Sequence, residues 1–219
     1  LDFAPVLDVD TNPANPVIGR RAFGVVPEEV IARGLAFAAG LEAAGGAWCA
    51  KHFPGHGDTV LDSHLALPRL AHDRARLDAV ELAPFRVAAA RRAPMMMTAH
   101  VVFDALDATR PATLSPRVVP EVLRGELGYD GVVISDDLDM KAIRDHFDAE
   151  AVAAGLAAAD VDLAMVCHDL DFAEALADRL RPSAGSSERV RRLRDRLERP
   201  TPHALPPFPA ELAQAFARL

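Results

Sequence analysis

The chain has 219 residues, half of them apolar, with 32 acidic against 24 basic side chains and a formal charge of −8. This length supports one sizeable core and one domain, and the acidic balance argues against a general nucleic-acid binder. No apolar run reaches the roughly 18 to 20 residues that span a bilayer, and Cys49 and Cys167, both in apolar runs, read as buried free thiols rather than a disulfide framework.

The first run, Leu1 to Val9, reads as a strand. It carries no initiator Met, signal peptide or polar lead-in, so the expectation is an N-terminally truncated piece of a longer chain. Pro27-Glu28-Glu29 opens a helix whose inner stripe is Val30, Ile31, Leu35, Ala38 and Leu41, and Gly45-Gly46 closes it. Ala47 to Lys51 is a second strand and Pro94 to Val102 a third. Between them Asp73 to Arg92 has helical spacing, with Pro84 forcing a kink or break. A short helix over Pro120 to Leu127 stops at Gly128, and strands follow at Gly131 to Ser135 and Val161 to Cys167. Helices are expected at Asp148 to Ala159, Asp171 to Leu180 and Ser187 to Glu198, the last capped by Ser186 or Ser187 with its arginines on a solvated face. Pro200 to Pro209 is Pro-rich and irregular, and a short C-terminal helix completes residues 200–219.

Alternating strands and helices mean a parallel sheet with crossover helices. Asp8, Lys51-His52, His100, Asp136 and His168 each stand at a strand's C-terminal end. A (β/α)8 barrel gathers all such ends around one mouth, whereas an open doubly wound sheet gathers mainly those at its switch point. No Gly-x-Gly-x-x-Gly turn or P-loop is present. The expected fold is therefore α/β, an incomplete TIM-type (β/α)8 barrel with about five of its eight strands present and the first three missing. The whole of residues 1–219 reads as one partial barrel domain.

The stretch Lys51 to His64 holds three histidines, two aspartates, a lysine and two glycines. That composition suits an irregular loop bearing chemistry rather than a core segment. In Asp62-Ser63-His64 a carboxylate two residues from an imidazole can orient the ring and raise its basicity for proton transfer, or the two are unrelated surface residues. Ile134-Ser135-Asp136-Asp137 ends a strand with adjacent carboxylates, only one of which can face the mouth; that one suits a nucleophile, a metal ligand or a sugar-hydroxyl acceptor, and helix capping is the bland reading. His52 and His56 are four apart, but Phe-Pro-Gly between them argues against a helical metal signature, and no metal is expected. Arg21, in the loop after the first strand, either forks onto a ligand or makes a surface ion pair. For His100, Asp8 and His168 a structural hydrogen bond is at least as good a reading as chemistry.

Phe3-Ala4-Pro5-Val6-Leu7-Asp8-Val9, Asn15-Pro16-Val17-Ile18-Gly19-Arg20-Arg21-Ala22-Phe23, the Lys51 to His64 stretch and Gly131-Val132-Val133-Ile134-Ser135-Asp136-Asp137-Leu138-Asp139-Met140 together resemble glycoside hydrolase family 3. The likeness is strongest to its β-N-acetylglucosaminidase branch, which includes peptidoglycan-recycling enzymes. It implies a TIM-type barrel and a retaining exo-β-N-acetylglucosaminidase acting on muropeptides or chitooligosaccharides. It further implies Asp136 as nucleophile, His64 as general acid/base with Asp62 as its dyad partner, and Arg21, Lys51 and His52 as holders of the sugar hydroxyls. A loop-borne His64 would swing on Gly55 and Gly57. The family's Asp-Gln-Glu-Gly-Gly segment, whose aspartate binds the non-reducing sugar, has no counterpart here. A β-N-acetylglucosaminide phosphorylase, an inactive sugar-binding fragment and, last, a metal hydrolase are the alternatives. The resemblance implies no cofactor, an N-acetylglucosamine-containing carbohydrate as partner, no nucleic acid or membrane span, and the cytoplasm as compartment, although exported members of the family exist.

Overall fold

A computed structural model describes residues 1–63 and 65–198. The expected features at His64 and at Pro200 to Pro209 with the terminal helix lie outside those residues. Helix α1, Pro27–Ala43, starts as read, with Pro27 in its first turn and Glu28 and Glu29 at the positive end of its dipole. Strand β1 is Cys49–Phe53, two residues beyond the expected start. Strand β2, Arg69–Leu70, was not anticipated. The next helical stretch is segmented: α2 at Arg74–Arg76, a π-turn over Leu77–Glu81, then α3 at Ala83–Ala90 with Pro84 in its first turn. Pro84 lacks the amide that a continuous helix would need there, so the break falls where the sequence placed it.

The run Pro94 to Val102 divides. Met95–Thr98 forms β3, whereas Val102–Phe103 forms β4 in a second, small sheet with β2 and with β5, Asp107–Pro111. A π-helix, Val118–Glu126, replaces the short α-helix expected there, and Gly128 follows at φ +64°, a left-handed stop favoured by glycine. Strand β6 is Val132–Asp137 and β7 is Leu163–Met165. They are joined by α4, Lys141–Arg144, and α5, Ala149–Ala158, the latter capped by the Asp148 side chain on Ala151 N–H. Helices α6, Leu170–Arg179, and α7, Ala184–Leu197, complete the described chain. The cap of α7 is Ser183, whose hydroxyl accepts from Ser186 N–H, so the helix starts about one turn earlier than expected.

The main sheet runs β1-β3-β6-β7 with every pair parallel. The Leu1 to Val9 run lies beside β1 but is not a regular strand. It makes isolated parallel bridges at Asp2–Trp48 and Val6–Lys51. Pro5 has no N–H to give, which interrupts the ladder. The order in space therefore follows the order in sequence without reversal. That is the wall of a barrel; a doubly wound sheet reverses at its switch point. Among the described residues no ladder joins the two ends of this wall.

Alternate side chains sort the two faces. Ala50, Met96 and Val133 pack with Val30, Leu35, Phe85 and Val122 in a helix-covered core. Cys49, Met95, Met97, Val132 and Ile134 turn the other way, joined by Phe3, Leu163 and Met165. Leu193 and Val190 of α7 complete this inner face. Cys49 is buried as expected, but Cys167 is exposed, because β7 ends at Met165 before reaching it.

The arginines of α7 do not all face solvent. Arg189 is buried and its guanidinium donates to Asp162 Oδ1 at 2.6 Å and Asp160 Oδ1 at 2.8 Å. The fully buried Asp162 side chain also accepts from Val133 N at 2.8 Å and Arg124 Nη2 at 3.0 Å. One carboxylate thus ties β6, the π-helix and α7 together just before β7. Removing it leaves both guanidinium groups with Asp160 alone as their carboxylate partner and takes away the oxygen that Val133 N–H uses. Asp162→Ala is expected to lower the unfolding free energy by about 3–5 kcal/mol in urea titration. Asp130→Ala, which removes only the exposed pair with Arg192, is expected to cost less than about 1 kcal/mol.

Candidate active site

The C-terminal ends of the parallel strands place Asp8, Lys51-His52, His100 and Asp136 on one rim of the wall. Asp8 is the centre of the arrangement, although by sequence it was only one of several strand-end residues. Its side chain is fully buried. It accepts the ring Nδ1–H of His52 at 2.6 Å, the His52 backbone N–H at 3.1 and 3.2 Å, and the His56 backbone N–H at 2.7 Å. Burial alone would raise its pKa, yet His52, His56 and these donors outweigh it and hold the carboxyl below its ordinary value.

With Nδ1 committed to Asp8, the other nitrogen of His52 faces across the rim. Nε2 lies 3.9 Å from Asp136 Oδ2. Asp136, at the end of β6, keeps 17% of its side chain exposed. Burial raises its pKa, but His52, His100, the Asp137 N–H and Lys51 more than compensate, so it is held ionised below the ordinary carboxylate range. Its Oδ1 accepts the Asp137 N–H at 2.8 Å, leaving Oδ2 toward His52. Lys51, half-buried, is lowered by burial and by the neighbouring Arg21 charge, while Asp136 pulls it back up. Arg21 is exposed in a short turn, Gly19–Arg21, and one of its guanidinium N–H groups donates to Val17 O at 3.3 Å.

Asp137 turns away from Asp136. Its Oδ1 accepts from Asp139 N at 3.1 Å and Cys167 N at 3.2 Å, so it shapes the loop after β7 instead of capping a helix; the cap position of α4 is Met140, which makes no side-chain bond there. Asp139 also shapes that loop. Its Oδ2 accepts from the backbones of Cys167, His168 and Asp169 at 3.1, 2.6 and 3.1 Å. His168 is exposed and enters through its backbone alone. His100 is fully buried; its Nε2–H donates to Asp137 O at 3.0 Å and its Nδ1 sits 2.8 Å from Thr113 Oγ1. His100 thus makes a structural hydrogen bond that fixes the backbone beside Asp136, and its proximity helps to lower the pKa of that carboxylate.

Gly55 and Gly57, read from sequence as swing points, are both buried, and each permits a close approach. A Cβ on Gly57 would stand 1.8 Å from Val9 O, and Gly55 is at φ +140° with Glu81 Cβ 2.8 Å from where a side chain would begin. Of the pair behind the metal reading, His52 commits Nδ1 to Asp8, and His56 commits both ring nitrogens, to Thr59 and Ser63. Asp62 is half-buried, and its carbonyl accepts from Leu65 and Ala66 N–H at 2.9 and 3.0 Å.

A parallel wall with a field-stabilised carboxylate at a strand end, beside His52, His100 and Lys51, is the arrangement expected at the active-site rim of a barrel fold. Residues 1–199 match the glycosyl hydrolase family 3 N-terminal domain, and the chain belongs to that family. It is 43% identical to a β-hexosaminidase of Alkalilimnicola ehrlichii over 195 residues, which are 89% of this chain and 56% of that protein. A Bordetella parapertussis β-hexosaminidase is also 43% identical, over 91% of this chain and 57% of its own length. The chain thus spans just over half the length of these relatives. A family 3 β-N-acetylglucosaminidase from Paenibacillus superposes with a TM-score of 0.87 at 43% identity, over 94% of this chain and 42% of that one. NagZ from Neisseria gonorrhoeae, solved with N-trifluoroacetyl-D-glucosamine, superposes at 0.80 with 33% identity, over 98% of this chain and 62% of that one.

Burial pushes the pKa of His56 down to about 4. The native ring therefore stays neutral to about pH 4, whereas in the unfolded chain it binds a proton below its ordinary value of 6.5. Between those values the unfolded state holds more protons, so stability rises with pH there and is fully present above the window. The expected contribution is about 3 kcal/mol. Asp8 has the opposite chemistry and the same direction: its depressed pKa gives stability that is present above 3.8 and lost at lower pH. Urea unfolding of wild type and His56→Gln at pH 7, 5 and 4 checks the first effect. The gap between them should shrink on acidification, and a gap independent of pH would contradict the buried neutral ring.

Proposed function

We propose that this chain carries the catalytic rim of a retaining exo-β-N-acetylglucosaminidase that removes terminal β-linked N-acetylglucosamine from muropeptides or chitooligosaccharides. The observation that carries the reading is Asp136: an ionised, partly exposed carboxylate at the end of β6, 3.9 Å from a histidine that is itself locked in place. The β-hexosaminidases and β-N-acetylglucosaminidases to which the chain is similar support the substrate class.

In this reading Asp136 Oδ2 attacks the anomeric carbon and forms the glycosyl-enzyme bond as the leaving oxygen departs. His64, starting as the imidazolium, gives that oxygen a proton and becomes neutral, then takes one from the water that releases the sugar. Asp62 steadies the imidazolium formed during the second step. A neutral histidine brings no second negative charge beside Asp136, which a carboxylate acid/base would do. Lys51, His52 and Arg21 take the sugar hydroxyls. Asp8 serves them indirectly, since His52 can aim Nε2 across the rim only while Nδ1 is held.

The test is covalent trapping. Incubation with a 5-fluoro N-acetylglucosaminyl donor, digestion and mass mapping should place the label on Asp136, and a label on any other residue would sink the assignment. Asp136→Asn should lower turnover of an aryl β-N-acetylglucosaminide by a factor on the order of 10³ or more. Products are read with and without phosphate: free N-acetylglucosamine in both supports hydrolysis, whereas a sugar 1-phosphate would make the protein a phosphorylase.

A further inference from the structure

The loop that carries Asp62-Ser63-His64 has an uneven exposure pattern. Val60, Leu61 and Leu65 are 71, 48 and 66% exposed, yet Ser63 among them is only 1% exposed. A small polar residue is buried while its large apolar neighbours face outward. Ser63 is held from two sides. Its Oγ lies 2.9 Å from His56 Nε2, and its carbonyl accepts Ala142 N–H at 3.3 Å. Ala142 sits in the first turn of α4, where a helix leaves its amides without internal partners. Ser63 therefore satisfies a donor that α4 itself cannot.

The direction of the His56–Ser63 bond follows from groups far away in sequence. Asn15 Oδ1 accepts the Val17 and Ile18 amides at 2.9 and 2.8 Å, which fixes its side-chain amide with Nδ2 pointing the other way. That nitrogen donates to His56 O at 2.8 Å and to Thr59 Oγ1 at 3.3 Å. With His56 O already served, the single Thr59 hydroxyl proton goes to the nearer acceptor, His56 Nδ1, at 2.9 Å. The ring then carries its proton on Nε2 and donates it to Ser63 Oγ. The low pKa of the buried ring keeps this neutral tautomer in place across the neutral range. The ring itself is anchored through its backbone N–H on Asp8. A chain of oriented bonds thus runs from the Asn15 turn through Thr59 and His56 to the middle residue of the proton-handling triplet.

We propose that His56 and Ser63 form a latch that docks the loop at Asp62-Ser63 against α4, with His56 as a positioning residue for proton transfer rather than a sugar contact or a metal ligand. This rests on the reading of His64 as the acid/base. The latch holds the residue between the two members of the dyad, so losing it frees both together. Its effect is felt only where protonation of the leaving group matters.

Leaving-group dependence separates this role from general damage. Ser63→Ala should lower kcat/KM about 10- to 100-fold for an alkyl or disaccharide β-N-acetylglucosaminide, whose leaving oxygen needs the proton. For the 2,4-dinitrophenyl glycoside, which departs unaided, the loss should be below about threefold. His56→Leu should show the same split, and His56→Gln, which keeps an N–H near the Nε2 position, should restore it. Equal losses on both substrates would overturn the positioning role. The latch itself is read without turnover: in Ser63→Ala the Ala142 amide should exchange with deuterium at least about tenfold faster, with Met96 in β3 unchanged. An unaltered Ala142 rate would overturn the latch. A wild-type chain that cleaves neither substrate would sink the hydrolase reading, a result distinct from either of these.

Discussion

A single buried carboxylate, Asp8, organises the active-site rim. Placing a charge where no solvent reaches is costly unless hydrogen bonds replace the water. Asp8 is supplied by the ring and backbone of His52 and the backbone of His56. The demand runs both ways. The carboxylate is stable only if β1 continues past Lys51 into a tight loop that returns His56, and that loop is possible only where Gly57 lets the chain pass against Val9 O. Electrostatics and backbone geometry are here one constraint, and they set where the histidines stand.

The remaining rim residues are arranged around the outcome. His52, pinned at one nitrogen, faces Asp136 with the other. His100, pinned on Asp137 O, holds the backbone beside that carboxylate. Asp137 and Asp139 use their oxygens on the loop after β7 and so leave Asp136 as the β6-end carboxylate facing His52. Asp8, His52 and His100 each bond a group carried by a different part of the wall, which is why the parallel wall must form before the site exists.

Much of this was legible beforehand. The strand ends that bear ionisable groups, the Pro84 break and the irregular loop that follows β1 all depend on local chemistry: a missing amide, or a run of residues unsuited to a core. The misses share a different character. The regular first strand failed because Pro5 cannot donate to the ladder. Arg189 alone leaves the solvated arginine face of α7, because Asp160 and Asp162, nearly thirty residues upstream, lie beneath it. Cys167 was placed inside because an apolar run was read to its end, whereas pairing to β6 stops at Met165.

By itself the sequence determined the alternation of strands and helices, and with it the parallel order, because hydrophobic period, capping and chain breaks act over a few residues. It also determined most of the side chains that stand at strand ends, although His168 lies three residues past the end of β7. Tertiary structure decided what those side chains do. Asp8 and His168 have equal claims in sequence; only one is buried against three donors, and the other is exposed. His56 offers in sequence only its spacing from His52, until Asn15, Thr59 and Ser63 are brought around it. The reason is that hydrogen-bond direction and desolvation are set by neighbours distant along the chain, and folding alone brings those neighbours within reach.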